Sequence, residues 1–240
     1  MLLKVDSISS FSWCLRNVQL DNKHLYSGDV VIAPNGDIVM VGRADKVNND
    51  LDNIFLLRVT NAGSVTWMRS YGVPNYNHLG DELAVGSDHF VWAGPMNTND
   101  GPYLYVAKFN LDGDLIASRR WALDFYEHVK GLVVDSSDNI LILSDATFLP
   151  DGFLVITVIK ISPSLEILAK HSFRAEDGEQ AFSILALSDG GYLVGGTSLT
   201  TSTNDYFNYL VKLEDDLTIC GSLIEVEREF DAVGLASDLV

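Results

Sequence analysis

A short pattern recurs five times along this chain in nearly constant phase: two apolar residues, a Lys or Arg, an apolar residue, then a polar one. The copies are LLKVD (2–6), LLRVT (56–60), VAKFN (106–110), VIKIS (158–162) and LVKLE (210–214). Their basic residues, Lys4, Arg58, Lys108, Lys160 and Lys212, lie 54, 50, 52 and 52 positions apart. A phase held over 240 residues means that one structural unit is used repeatedly. Three further patterns keep it. GDIVMVG ends at Gly42, DHFVWAG at Gly94, NILILS at Ser144 and GYLVGG at Gly196. Just before them come DVVIAP, ELAVGS, LVVDSS and ILALSD, with VGLASD (233–238) near the C-terminus. After each basic residue come SFSWCLRNV, SVTWMRSYG, LIASRRWAL, LEILAKHSF and TICGSLIEV.

These segments are short and rich in Val, Ile, Leu, Phe and Tyr. Turn sequences such as PNGD, SSDN, SDGG, NAGS and LDGD bound them. Those are strand and hairpin signals, and helix periodicity is lacking. Each unit therefore reads as strands A, B, C and D. The A–B and C–D turns are short, and the B–C connections are longer and polar: RADKVNNDLDN, PMNTNDGP, DATFLPDG and TSLTTSTNDYF. Four antiparallel strands per fifty residues is the signature of a β-propeller blade. One twisted sheet cannot cover both its faces, so blades cover one another around an axis. Segments such as ILALS and IVMVG, apolar on both faces, fit that arrangement.

The predicted fold is all-β: one propeller domain over 1–240, with repeats near 24–76, 77–126, 127–177 and 178–228. The first 23 residues supply an extra C–D pair and residues 229–240 an extra A strand. Joined, these make a composite fifth blade whose B strand is missing. Gly28, Gly80, Gly131, Ser183 and Ala232 recur at the start of strand A, where blades crowd the axis. The units, as in DGGYLVGGTS…NYLVKLEDDL at 189–217, resemble bacterial and phage β-propeller repeats over essentially residues 1–238. That resemblance implies a non-enzymatic interaction or structural module, docked to another protein chain in a phage particle (tail or fibre) or a bacterial surface assembly. It specifies the blade and hardly the function.

With 33 acidic and 16 basic residues, the formal charge is -17. A nucleic-acid partner is not expected, because the chain repels a phosphate backbone. No apolar run approaches a membrane span, and MLLKVDSISS lacks a signal-peptide core, so a soluble, cytoplasmic or virion-associated protein is expected. Cys14 and Cys220 form no disulfide or zinc framework.

Strand alternation puts the B–C connections on one face, the expected binding face. Its candidate residues are Asn97, Asn99, Asp100 and Tyr103 in one loop, Phe148 and Asp151 in the next, and Thr200, Asn204, Asp205 and Tyr206 in the last. Tyr with Asn and Asp suits a sugar, so a lectin-like propeller, with a glycan partner, is the alternative. A five-bladed glycosidase is the other, with Asp29 and Asp81 as its carboxylates. No catalytic motif argues for it, and neither a cofactor nor a metal is expected. His24, His78 and His128 would come from separate blades, and NNDLDN (48–53) and NLDGD (110–114) lack EF-hand spacing. The recurring basic residue is expected to pair with a carboxylate, and Trp13 and Trp67 to pack.

Overall fold

The computed structural model describes residues 2–5, 11–15, 23–46, 53–72, 77–78, 82–98, 101–122, 127–147, 154–174, 179–200, 205–219, 224–225 and 232–233. Their regular structure is entirely β. The strands are β1 (Leu2–Val5), β2 (Phe11–Leu15), β3 (Lys23–Ile32), β4 (Ile38–Lys46), β5 (Asn53–Val59), β6 (Val65–Tyr71), β7 (Asn77–His78), β8 (Glu82–Val85), β9 (His89–Thr98), β10 (Gly101–Asn110), β11 (Leu115–Ala122), β12 (Glu127–Val134), β13 (Ile140–Thr147), β14 (Leu154–Ile161), β15 (Ile167–Arg174), β16 (Glu179–Ala186), β17 (Tyr192–Thr200), β18 (Asp205–Leu213), β19 (Ile224–Glu225) and β20 (Ala232–Val233). No helix long and apolar enough to cross a membrane occurs among the described residues.

Four antiparallel sheets follow one another along the chain. The first is β3-β4-β5-β6, in the expected A–B–C–D order; the third is β12-β13-β14-β15 in the same order with β19 added at its edge, where Ile224 and Glu225, from the segment expected as the fourth unit's D strand, pair with Arg174 and Phe173 of β15 instead. The second has β9, β10 and β11, with an A strand split into β7 and β8, both paired with β9. The fourth is β16-β17-β18, and Ile219 bridges back to Leu213. The A strands stand side by side: β3 beside β8, β8 beside β12, β12 beside β16.

The core lies between consecutive sheets. Val39, Val41, Ile54 and Leu56 of the first sheet meet Phe90, Trp92, Tyr105 and Phe109 of the second. The opposite face of the second sheet, with Val91, Ala93, Leu104 and Val106, meets Ile140, Ile142, Ile159 and Ile161 of the third. Leu141, Leu143, Ile156 and Val158 then meet Ile184, Tyr192, Val194 and Leu213 of the fourth. Neighbouring residues of one strand thus serve different interfaces. That is why these strands are continuously apolar rather than alternating.

The repeated sequence features have local causes. Gly42 lies opposite Phe55, and a methyl group there would sit 2.7 Å from the ring's Cε1. Gly196 makes the same room for Tyr209. The third sheet carries Ser144 opposite Thr157, whose hydroxyl bonds that of Ser172 at 2.9 Å. In the C–D turns the fourth residue is left-handed: Gly63 at φ 91°, Gly113 at 83°, Leu165 at 63° and Leu217 at 68°. Leucine is strained there. Burial of both leucines in the inter-sheet cores offsets the strain.

One register is shared by the C–D hairpins. Arg58 lies opposite Trp67, Lys108 opposite Ala117 and Lys160 opposite Ala169, with a β-bulge directly after each basic residue. The pair β1–β2 repeats it: Lys4 lies opposite Trp13, with the irregularity between Lys4 and Val5. It forms a two-stranded sheet of its own.

Three further expectations need correction. The small residues of strand A do not share one register. β3, β12 and β16 bulge there, and Gly131 and Ser183 take the position of Asp29, whereas Gly28 takes that of Lys130 and Phe182. The B–C connections are shorter than expected because strands B and C run on into them. In the second sheet only Asn99 and Asp100 separate β9 from β10, and Gly101 turns the chain at φ 132°. Finally, Ala232 and Val233 pair with Trp121 and Arg120 on the outer edge of the second sheet, not with β1–β2.

Candidate functional site

The A–B and C–D turns emerge on one rim of the stack and the B–C connections on the other. The turn rim is stitched together between sheets. Arg58 donates from Nε to Asp37 Oδ2 at 2.9 Å in its own A–B turn, and from Nη1 to the Leu111 carbonyl in the next sheet. Arg69 pairs with Asp114, and Tyr71 donates to the Gly113 carbonyl, in that same turn. Arg119 donates to the Leu165 carbonyl at 3.0 Å and pairs with Glu166 at 2.5 Å. Lys160 Nζ reaches the Asp215 carbonyl at 3.0 Å and its Oδ1 at 2.6 Å. Apart from Arg58–Asp37, each of these bonds joins one sheet to the next, so the recurring basic residue is an inter-sheet clamp at Arg58 and Lys160, whereas Lys212 holds Asp189 of its own A–B turn at 2.6 Å.

The titrations record this. The Asn35 amide, helped by Arg58, holds the Asp37 carboxyl below its usual range. Burial would raise Asp135, but hydrogen bonds from Asn139, Ser137 and Tyr192 bring it below its usual value. Burial pushes Tyr71 and Tyr192 up to about 12. Tyr192 donates across to Asp135 of the third sheet at 2.9 Å. Trp67 packs on the next turn, where a methyl group on Gly113 would meet its ring at 3.1 Å.

The loop rim is built differently. Of the residues expected there, Asn99, Asp100, Phe148, Asp151 and Asn204 lie outside the described residues. Asn97 is a strand residue, paired with Pro102 and Asn77. Asp205 and Tyr206 open β18, opposite Thr200 and Leu199. Tyr103 also belongs to a strand: it is half-buried against the first core, with the Arg120 guanidinium 4.5 Å over its ring. Two planar groups at this separation attract through the ring's quadrupole.

On this rim the sequence reading weighed His128 only as a metal ligand and missed Tyr26, Arg43 and Asp145. Tyr26 lies opposite Arg43, His128 opposite Asp145 and Gln180 opposite Thr197, one equivalent pair in each of three sheets. Arg43 stacks on the exposed Tyr26 ring at 4.6 Å. Asp145 is 4% exposed, and its nearest cation is Lys130 at 3.7 Å. Burial pushes its carboxyl above the usual range against the pull of Lys130 and His128. The signal available in the sequence was position. Each pair follows the Gly42, Ser144 or Gly196 landmark directly, and its chemistry changes from repeat to repeat.

His24 lies opposite Asp45, His78 opposite Met96 and His128 opposite Asp145, three different levels of their sheets. Within NLDGD, the Asn110 Oδ1 accepts from the amides of Asp112 and Asp114, an Asx turn. Asp29 accepts from the Leu83 amide of the next sheet at 3.1 Å, which makes it an inter-sheet tie. Asp81, residues 48–52 of NNDLDN and Cys220 lie outside the described residues, and Asn53 opens β5.

No family model matches the chain, and no curated protein matches it. Among solved structures it is similar to a protein of unknown function from Bacteroides caccae, at 11% identity and a TM-score of 0.45, over 77% of this chain and 55% of that one. The chain thus spans just over half of that protein. It is also similar to the endo-arabinase from Bacteroides thetaiotaomicron VPI-5482, at 12% identity and a TM-score of 0.46, over 88% of this chain and 81% of that one.

Proposed function

We propose that this chain is a five-bladed β-propeller that acts as a non-enzymatic interaction module, docking another protein chain on its loop rim. One observation carries the reading. At the turn rim, the equivalent residues Arg58 and Lys160 both spend their charge on the next sheet's C–D turn. At the loop rim, equivalent positions hold Tyr–Arg, His–Asp and Gln–Thr. A position that three sheets fill differently is not fixed by the shared fold, and such a position suits recognition. A lectin would use like pockets in successive blades, and the differing pairs do not supply them. A glycosidase would need Asp29 for chemistry, and Asp29 is bonded to backbone. The repeat resemblance extends the reading to a phage particle or bacterial surface assembly.

The test is tagged capture from the native source with three full-length chains: unchanged, Arg43→Glu with Gln180→Arg on the loop rim, and Asp112→Lys with Ser164→Lys on the turn rim. The loop-rim variant loses the captured chain and the turn-rim variant keeps it. The reverse pattern overturns the proposal.

A further inference from the structure

The outer edges of the second and third sheets each carry an added strand. Ala232 and Val233 pair with Trp121 and Arg120 of β11, and Ile224 and Glu225 pair with Arg174 and Phe173 of β15, both antiparallel. Trp121 and Phe173 stand at one level. Each lies opposite the residue four before the basic residue of its hairpin: Leu104 before Lys108, and Ile156 before Lys160. One segment of the chain therefore meets the same place on two neighbouring sheets. It pairs two residues at each, short of the about five or six of a typical strand. Toward the turn rim, no strand lies beyond β11 or β15 among the described residues.

Charge says what these edges accept. The edge strands β6, β11 and β15 read VTWMRSY, LIASRRWA and ILAKHSFR. They carry five Lys or Arg and no Asp or Glu, in a chain with 33 acidic and 16 basic residues. The segment that reaches the last two, 224–233, reads IEVEREFDAV, with four carboxylates against one Arg. Basic edges deter unselective strand pairing, and an acidic strand is the class they attract. Ile116 and Leu168 take equivalent positions on β11 and β15 at 54% and 55% exposure, so an incoming strand finds apolar side chains to cover as well.

We infer that the outer edges of β11 and β15 are a docking site for an extended acidic segment of a partner chain, which adds as a further antiparallel strand and displaces residues 224–225 and 232–233. Main-chain hydrogen bonds hold such a strand, and side-chain charge selects it. The chain's own segment competes for the site, so it sets the fraction of molecules open to the partner. This site lies on the outer wall and does not depend on docking at the loop rim.

The test is fluorescence anisotropy with two tagged decapeptides, one alternating Val and Glu, the other Val and Lys. Three full-length chains receive them: unchanged, Ile224→Pro with Val233→Pro to loosen the competing segment, and that pair with Arg120→Glu and Lys170→Glu on the receiving edges. The Val–Glu peptide binds the loosened chain about tenfold more tightly than the unchanged one. The charge reversals remove that gain, and the Val–Lys peptide does not bind. In the unchanged chain, saturating Val–Glu peptide slows amide exchange in β11 and β15, a readout that needs no variant to fold. Equal binding of the two peptides, no gain on loosening, or no added protection in those strands overturns the inference. A dimer of the unchanged chain that the peptide dissolves assigns the edges to a second copy and overturns it likewise.

Discussion

The two rims of this molecule hold carboxylates in opposite electrostatic states. On the turn rim, hydrogen bonds and cations pull Asp37, Asp114, Asp135 and Asp189 below their usual range. On the loop rim, burial pushes Asp145 above it. The turn-rim groups keep their charge because each stitches backbone or a cation into place. Asp145 sits where its charge is costly and its nearest cation stands off. Architecture dictates chemistry on one rim and tolerates a liability on the other, which is the usual mark of a surface kept for something besides stability.

That contrast breaks most readily at the clamps. Arg58→Ala should cost about 3 kcal/mol in urea unfolding, because it strands the part-buried Asp37 carboxylate and the Leu111 carbonyl at an inter-sheet seam. Lys160→Ala should cost about 2 kcal/mol, less because the exposed Asp215 carboxylate stays hydrated. A loss within about 0.5 kcal/mol would reduce the clamps to ordinary surface pairs. Gly131→Val comes next, at about 2 kcal/mol, since its side chain must enter the space held by Ile184.

Asp145→Asn should act in the other direction, stabilising by about 1 kcal/mol at neutral pH. Its carboxyl has a pKa in the fold above the unfolded value of about 3.9. The native state therefore holds the proton more tightly, and stability falls as pH rises through the folded pKa. The substitution abolishes that slope, and calorimetry from acid to neutral pH reads it. Asp37→Asn gives the opposite: its stabilisation is present above the unfolded pKa and lost as pH falls through the depressed one. The smallest effect belongs to the loop rim, where Arg43→Ser and Gln180→Ser should stay within about 0.5 kcal/mol of the unchanged protein. A larger loss at either residue would erase the distinction between the rims.

Much of the sheet series was legible in the sequence. LLRVT, VAKFN and VIKIS announced the C strands because a basic residue and a bulge recur there for one mechanical reason. The Gly landmarks announced the B strands because an aromatic ring or a backbone carbonyl needs their space. What the letters hid depends on register. Gly28 lies one level from Gly131, and the three histidines that seemed equivalent lie at three different levels. The hairpin at Asn99–Asp100 looked like a loop because polar residues fill strands that project past the core. Arg43, Arg120 and Asp145 passed unnoticed as unremarkable strand residues. Only the pairing across β4, β11 and β13 shows them sharing a rim.

Among the described residues, the clamps from Arg58, Arg119 and Lys160 reach the adjacent sheet and none reaches past it. Mechanically, the molecule is a row of couplings between nearest neighbours, each link set by contacts about one repeat apart in the chain. Loss of one link leaves the others intact. Amide exchange should therefore be slowest at β10 and β13, which are covered from both sides, and fastest toward the terminal sheets. Resistance to opening belongs to the middle of the series, and whatever engages the two ends governs how the whole comes apart.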